Sequence, residues 1–318
     1  MASLFSGGGG WEAGGVMAGY VPVMAVEYEP WIAQWHAQVF GGHVYQGSVA
    51  DVDYREAGRA VGPVDVLVSS PPCQATSRSG IAQATRRARA GIEARESDVC
   101  DPNVGVYTLD AVDGLQPRAV LVENNATYAR TAAFAAIVRG MEARGYLVDH
   151  RVLRAEFYGV PAARERLFLR AVRGLLPPWP RPTAKPAPWL DAIEDLIPTL
   201  PEDELAPWQA KGLRDNPPPP GVPLLIAGGN VTRNARGYIV FRTPSQRAWT
   251  IQLAQATGGM RVVDAYGVPR LLTARAIARL QGFPDSYPVE GLTRRRAIHV
   301  LGNSVPSTLA TKLLDGVR

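Results

Sequence analysis

Short runs of β-branched and other apolar residues recur along the first half of the chain, at Val21–Val26, Val64–Val68, Ala119–Val122, Tyr146–Leu153 and Leu167–Val172. Each is strand-sized, which predicts buried β-strands. Longer segments of mixed polarity separate them, among them Trp11–Ala18, which can form a helix. Alternation of this kind predicts a doubly wound α/β sheet. Beyond residue 174 the rhythm stops. Pro177-Pro178, Pro180, Pro182, Pro186 and Pro188 come close together, and Pro217–Pro220 follows. Proline withdraws a backbone donor and restricts its neighbours, so this stretch reads as irregular loops. From Leu271 the pattern recovers, with Thr273 as cap of a helix through Leu280 and a second helix from about Pro306 to Leu314. The expected organisation is a large domain over residues 1–173, a small insertion over 174–270 and a C-terminal return to the large domain over 271–318.

Three of the predicted strands end in residues able to do chemistry. Val26 is followed by Glu27, Val68 by Ser69-Ser70-Pro71-Pro72-Cys73-Gln74, and Val122 by Glu123-Asn124. Ligands of open α/β sheets collect at the carboxyl ends of strands, so these residues are expected to converge. Ser6-Gly7-Gly8-Gly9-Gly10 follows the first apolar residues, where glycines allow a tight turn and close approach of a cofactor. Glu27 lies 20 residues after Gly7, the spacing of a carboxylate that accepts ribose hydroxyls. A plain turn and a solvated strand-end charge are the competing readings. Two prolines stiffen the approach to Cys73, which suits a nucleophile as well as an inert core thiol. Cys100 lacks that setting and reads as structural. Arg164 and Arg166 stand two apart, on one face if the segment is extended.

Composition narrows the classes. A chain of 318 residues, 46% hydrophobic and 20% charged, can bury a full core, and no apolar run approaches bilayer length. With no basic and apolar leader at the N-terminus, a soluble cytoplasmic protein is expected. Two cysteines without clustered partners predict neither a disulfide framework nor a metal site. The 34 basic residues against 29 acidic ones agree with an anionic partner.

The ordered set Leu4-Phe5-Ser6-Gly7, Pro71-Pro72-Cys73-Gln74, Glu123-Asn124, Arg164-x-Arg166, Arg279-Leu280-Gln281-Gly282-Phe283-Pro284 and Gly302-Asn303-Ser304-Val305-Pro306 resembles the cytosine-C5 DNA methyltransferase family over nearly the whole chain. The resemblance implies a Rossmann-like mixed sheet with a small, irregular target-recognition domain. It implies S-adenosylmethionine as methyl donor, with S-adenosylhomocysteine as product, and a monomer acting on double-stranded DNA, with a restriction endonuclease as a candidate partner. Cys73 would add to C6 of a flipped cytosine, Glu123 would serve its N3 side, Arg166 its O2, and Arg164 would order the site or meet a phosphate.

For the cofactor, the resemblance assigns Phe5, Ser6, Gly7 and Gly9 to its amino-acid and adenosyl side and Glu27 and Tyr28 to the nucleoside. Ser48 stands at the adenine position, and Asn303 and Ser304 near the methionine carboxylate. For the nucleic acid it assigns Gln74 and Ser77, with Arg78, Arg86 and Arg87 on a basic loop after Cys73, and the Thr250-Ile251 pair in the insertion. Departures from the family pattern fall at Ser3 and Ser48, where acidic residues are commoner, with Asp51 as a substitute for the latter. Others are Ser69-Ser70, Asn125 and Ala162. Methylation of tRNA cytosine and a catalytically inactive nucleic-acid binder are the alternatives.

Overall fold

A computed structural model describes residues 1–72, 103–229, 232–251 and 259–318. The chain divides into two compact units: Met1–Leu153 with Glu165–Pro180 and Ala310–Arg318, and Arg154–Arg164 with Arg181–Leu309. Residues 271–309 thus fall in the second unit.

The first unit is built on a seven-stranded mixed sheet. Its strands are β1 (Ala2–Leu4), β2 (Met24–Glu27), β3 (His43–Gln46), β4 (Val66–Ser69), β5 (Ala119–Asn124), β6 (Leu147–Arg154) and β7 (Glu165–Val172), in the order β3-β2-β1-β4-β5-β7-β6. β1 pairs parallel to both β2 and β4, and β5 pairs parallel to β4. β7 runs antiparallel to β5, with Glu123 opposite Phe168 and Asn124 opposite Leu167. The chain leaves β1 toward β3 and then returns to continue from β4 on the other side. That reversal between β1 and β4 opens a crevice at their carboxyl ends. The central strands are buried along their whole length, which explains their continuous rather than alternating apolar runs.

Helices α1 (Gly10–Met17), α2 (Pro30–Phe40), α3 (Tyr54–Val61), α4 (Thr108–Leu115) and α5 (Ala132–Ala143) belong to this unit. Their starts follow local chemistry. Asp53 accepts from the N–H groups of Arg55 and Glu56, Thr131 caps Phe134, and Pro30 opens α2. The C-terminal tail binds the same unit: Thr311 Oγ1 donates to Gly14 O at 3.1 Å, and Arg118 Nη2 donates to Val317 O.

The second unit holds a four-stranded antiparallel sheet, β11 (Phe241–Arg242), β8 (Leu224–Ile226), β12 (Arg261–Val263) and β13 (Pro269–Leu271), and a two-stranded ribbon of β9 (Thr232–Asn234) and β10 (Gly237–Ile239). Among its helices are α6 (Leu190–Ile193), α7 (Pro207–Asp215), α8 (Ala274–Leu280), which Thr273 caps as expected, and α9 (Arg294–Asn303); α10 (Ser307–Asp315) follows.

Candidate active site

In the first unit, the carboxyl ends of β1, β2, β4 and β5 and the start of β7 share one sheet edge. The loop after β1 carries three left-handed residues in five: Phe5 at φ 55°, Gly7 at 51° and Gly9 at 68°. A left-handed phenylalanine is uncommon, and such strain gathers at ligand-binding turns. At Gly9 a side chain has no room, since a Cβ would lie 2.1 Å from the Phe40 ring. The Ser6 amide donates to Val26 O at 3.1 Å, while Ser6 Oγ is buried without a hydrogen-bond partner among the described residues.

Glu27 closes β2 at 8% exposure, accepting from the Gly7 amide at 2.7 Å and the Glu29 amide at 2.9 Å. Burial pushes its carboxyl above the ordinary value of 4.5, against the pull of those two donors and of His36. Tyr28 beside it stays 59% exposed, an aromatic face open to a planar ligand. Ser48 lies beyond β3, where its Oγ accepts from the Ala50 amide at 3.2 Å; Ser48, Asp51 and Tyr45 share a cavity of about 400 Å³.

On the other side of the reversal, the Asn124 side chain donates to Pro71 O at 3.0 Å, tying the end of β5 to the proline pair that leads into position 73. Trp11 Nε1 donates to Ser70 Oγ at 3.0 Å, so the departure at Ser70 supplies an acceptor for the first helix. Glu123 is 6% exposed and meets Arg166 Nε at 3.0 Å. The antiparallel pairing of β7 with β5 explains the encounter, because it brings the chain alongside Glu123 directly after Arg166. Cys73, Gln74, Ser77, Arg78, Arg86, Arg87 and Cys100 lie outside the described residues.

Arg164 and Arg166, two residues apart, fall in different compact units. In the second unit Arg164 is 3% exposed, donates from Nη1 to Gly302 O at 2.9 Å, and gives its amide to Glu156 Oε2 at 3.3 Å. Its guanidinium therefore orders the turn before Asn303. Asn303 is exposed at the end of α9, whereas Ser304 is buried and donates from Oγ to Val300 O at 2.6 Å. The 161–163 segment is strapped to the Ala248–Thr250 segment: the Ala163 amide donates to Ala248 O at 2.9 Å and Thr250 Oγ1 donates to Ala163 O. Ile251 is buried against Met260, Leu272 and Ile277.

Residue patterns did not single out Glu12, His36 or Glu156. Glu156 is 2% exposed and meets Arg154 Nη2 at 2.9 Å and Arg247 Nε at 3.3 Å. His36 could have been found from its place at i+3 and i+4 to the buried Ala33 and Ile32 on one face of α2. For Glu12 the only hint is a lone charge among small and apolar residues of α1.

The family model for C-5 cytosine-specific DNA methylases matches residues 1–212 and 223–317. The chain is similar to the Type II methyltransferase M.AplI of Arthrospira platensis, 29% identical over 263 residues that cover 80% of this chain and 68% of that protein. It is similar also to M1.HphI of Haemophilus parahaemolyticus, 28% identical over 336 residues, 99% of this chain and 85% of the other. Among solved structures, a Spodoptera frugiperda DNMT2 variant superposes with a TM-score of 0.70 at 16% identity, covering 99% of this chain and 98% of its own. The S. pombe Dnmt2 methyltransferase gives 0.66 at 15% identity, over 99% and 96%. At such identities the likeness is one of fold.

Proposed function

Since the chain belongs to the C-5 cytosine-specific DNA methylase family, we propose that it transfers the methyl group of S-adenosylmethionine to C5 of a flipped cytosine in double-stranded DNA. The observation that carries this reading is the Glu123–Arg166 pair at 3.0 Å, beside the proline pair that precedes Cys73. A carboxyl group and a guanidinium side by side match the N3 and O2 edge of cytosine, with the thiol next in the chain.

The cofactor fits the crevice on its own evidence. Ser6 Oγ is a buried atom lacking a partner among the described residues, and the buried Glu27 carboxylate is desolvated in a place where hydroxyl donors would satisfy it. Phe5, Ser6, Gly7 and Gly9 would hold the amino-acid and adenosyl side, Glu27 the ribose, and Tyr28 and Ser48 the adenine surroundings; the resemblance alone would add Asn303 and Ser304 for the carboxylate end. S-adenosylmethionine supplies there a methyl group on an electrophilic sulfonium.

The protein's part is to make cytosine C5 nucleophilic. The Cys73 thiolate bonds to C6, the electron pair of the C5–C6 double bond moves toward C5 and N3, and Glu123, as the neutral acid, gives its proton to N3 and takes it back when the thiolate leaves. Arg166 anchors O2, and Arg164 keeps the neighbouring turn in place. After methylation, loss of the C5 proton to water and elimination of the thiolate restore the ring. The target atoms are inaccessible inside a base stack, which is why the nucleotide must leave it.

Gln74, Ser77, Arg78, Arg86 and Arg87 are the proposed DNA contacts next to the nucleophile, and residues 174–270, with Thr250 and Ile251, the target-recognition region. We read the protein as a monomer working in the cytoplasm; a restriction endonuclease cutting the same DNA word is the partner suggested by the Type II names of its relatives.

Labelled S-adenosylmethionine offered with duplex DNA and with tRNA tests the reading. Label at C5 of cytosines in one short DNA context is expected, with Cys73→Ala reducing transfer to background and a 5-fluorocytosine duplex trapping a covalent adduct. Label confined to tRNA would replace the DNA reading, and a fully active Cys73→Ala enzyme would end the covalent one.

A further inference from the structure

Beneath the glycine turn lies a buried polar cluster that the proposed reaction leaves unused. Glu12 on α1 and His36 on α2 are each 1% exposed, with His36 Nε2 3.4 Å from Glu12 Oε1. The same carboxylate oxygen accepts from Ser3 Oγ on β1, while Glu12 Oε2 is buried without a hydrogen-bond partner among the described residues. The other ring nitrogen, His36 Nδ1, faces Gly7 O at 3.4 Å. The two ring nitrogens therefore face oxygens on opposite sides, the Glu12 carboxylate and the Gly7 carbonyl.

Burying a carboxylate and an imidazole is costly, and two apolar side chains would fill the same space without that desolvation. What the pair adds is direction. Its imidazole aims at the Gly7 carbonyl, and the amide of that same residue is the one Glu27 accepts at 2.7 Å. His36 also lowers the Glu27 carboxyl electrostatically, favouring its charged form. One turn along α2, Phe40 lies 4.9 Å from the His36 ring, centroid to centroid, and occupies the space that a side chain at Gly9 would need. A single face of α2 thus templates the turn at both glycines.

We propose that Glu12 and His36 are positioning residues for the adenosyl cofactor: a buried strut linking β1, α1 and α2 that holds the Gly7 carbonyl, and across the Gly7 Cα the amide on which Glu27 closes, in its binding geometry. Ser3 belongs to the strut, so the departure from an acidic residue at that position is answered by a carboxylate arriving from Glu12. The inference rests on the reading that Gly7 and Glu27 hold S-adenosylmethionine.

Calorimetric binding of S-adenosylhomocysteine to the full chain tests it without reference to turnover. His36→Gln keeps a polar side chain but not a ring with nitrogens on opposite edges, and is expected to weaken binding about tenfold. The KM for S-adenosylmethionine should rise with kcat unchanged. If the single variant melts or fails to fold, the charge-free pair Glu12→Gln/His36→Gln takes its place with the same expectation. Ser3→Asp in a Glu12→Ala background returns a carboxylate to the imidazole from the β1 side and should recover most of the lost affinity. Folded variants that bind as tightly as wild type would overturn the strut. A wild-type protein that does not bind S-adenosylhomocysteine would instead remove the cofactor reading beneath it.

Discussion

Glu27 and Glu123 occupy equivalent places on the two sides of the β1/β4 reversal, each the acidic residue at the end of a buried strand, with 8% and 6% exposure. Their partners differ. Glu27 is held by two backbone amides, whose positions the loop fixes, and burial raises its pKa. Glu123 is held by the side chain of Arg166, itself 22% exposed, whose Nη1 also donates to Glu165 O at 2.7 Å. A carboxylate on backbone donors suits a ribose, the part common to S-adenosylmethionine and S-adenosylhomocysteine. A carboxyl group beside a partly exposed side-chain guanidinium suits a base that must be met by both groups at its polar edge. The contrast teaches that equal burial does not make two carboxyl groups equivalent: backbone amides fix one, and a side-chain cation meets the other.

The comparison breaks most sharply at the reacting side. Glu123→Gln keeps the shape of the pocket and is expected to lower kcat about 10²–10⁴-fold with S-adenosylhomocysteine affinity unchanged, as single-turnover kinetics and calorimetry can show. The mirror experiment is Glu27→Gln. It should weaken S-adenosylhomocysteine about ten- to hundredfold while saturating cofactor restores turnover, and equal effects on both quantities would dissolve the distinction.

Smaller, and read as stability, is Gly9→Ala. The left-handed backbone and the Phe40 ring oppose the new methyl group, costing about 1–3 kcal/mol in a thermal or denaturant melt.

The least effect comes from pH. A carboxyl whose folded pKa is raised contributes stability that is complete below its unfolded value and is lost as pH climbs through the folded one. Without ligand, wild type should therefore lose Tm relative to Glu27→Gln as pH rises from 4.5 toward neutrality, and added S-adenosylhomocysteine should reverse the trend.

Much of this was legible in residue order. Strand-sized apolar runs followed by Glu27, Pro71-Pro72 and Glu123-Asn124 predicted both the α/β sheet and the convergence of its strand ends, since a parallel sheet brings successive carboxyl ends to one edge. Boundaries moved slightly: the run Val21–Val26 pairs as a strand only over Met24–Glu27, because Val23 closes the preceding loop by donating to Met1 O at 2.9 Å. β8 to β13, two to three residues each, leave no room for a period-two signal, so the proline-rich stretch concealed an antiparallel sheet.

The sequence by itself determined the alternation of elements, the glycine turn and the order of the reactive residues, because these follow from local backbone preference and hydrophobic pattern. Tertiary structure alone decided which of them meet. The antiparallel return of β7 gave Glu123 its arginine, and Glu12, nine positions beyond Ser3, meets both Ser3 and the more distant His36 under Gly7. Such contacts between distant residues have no local signature, since the desolvation that makes them matter exists only once the core has closed.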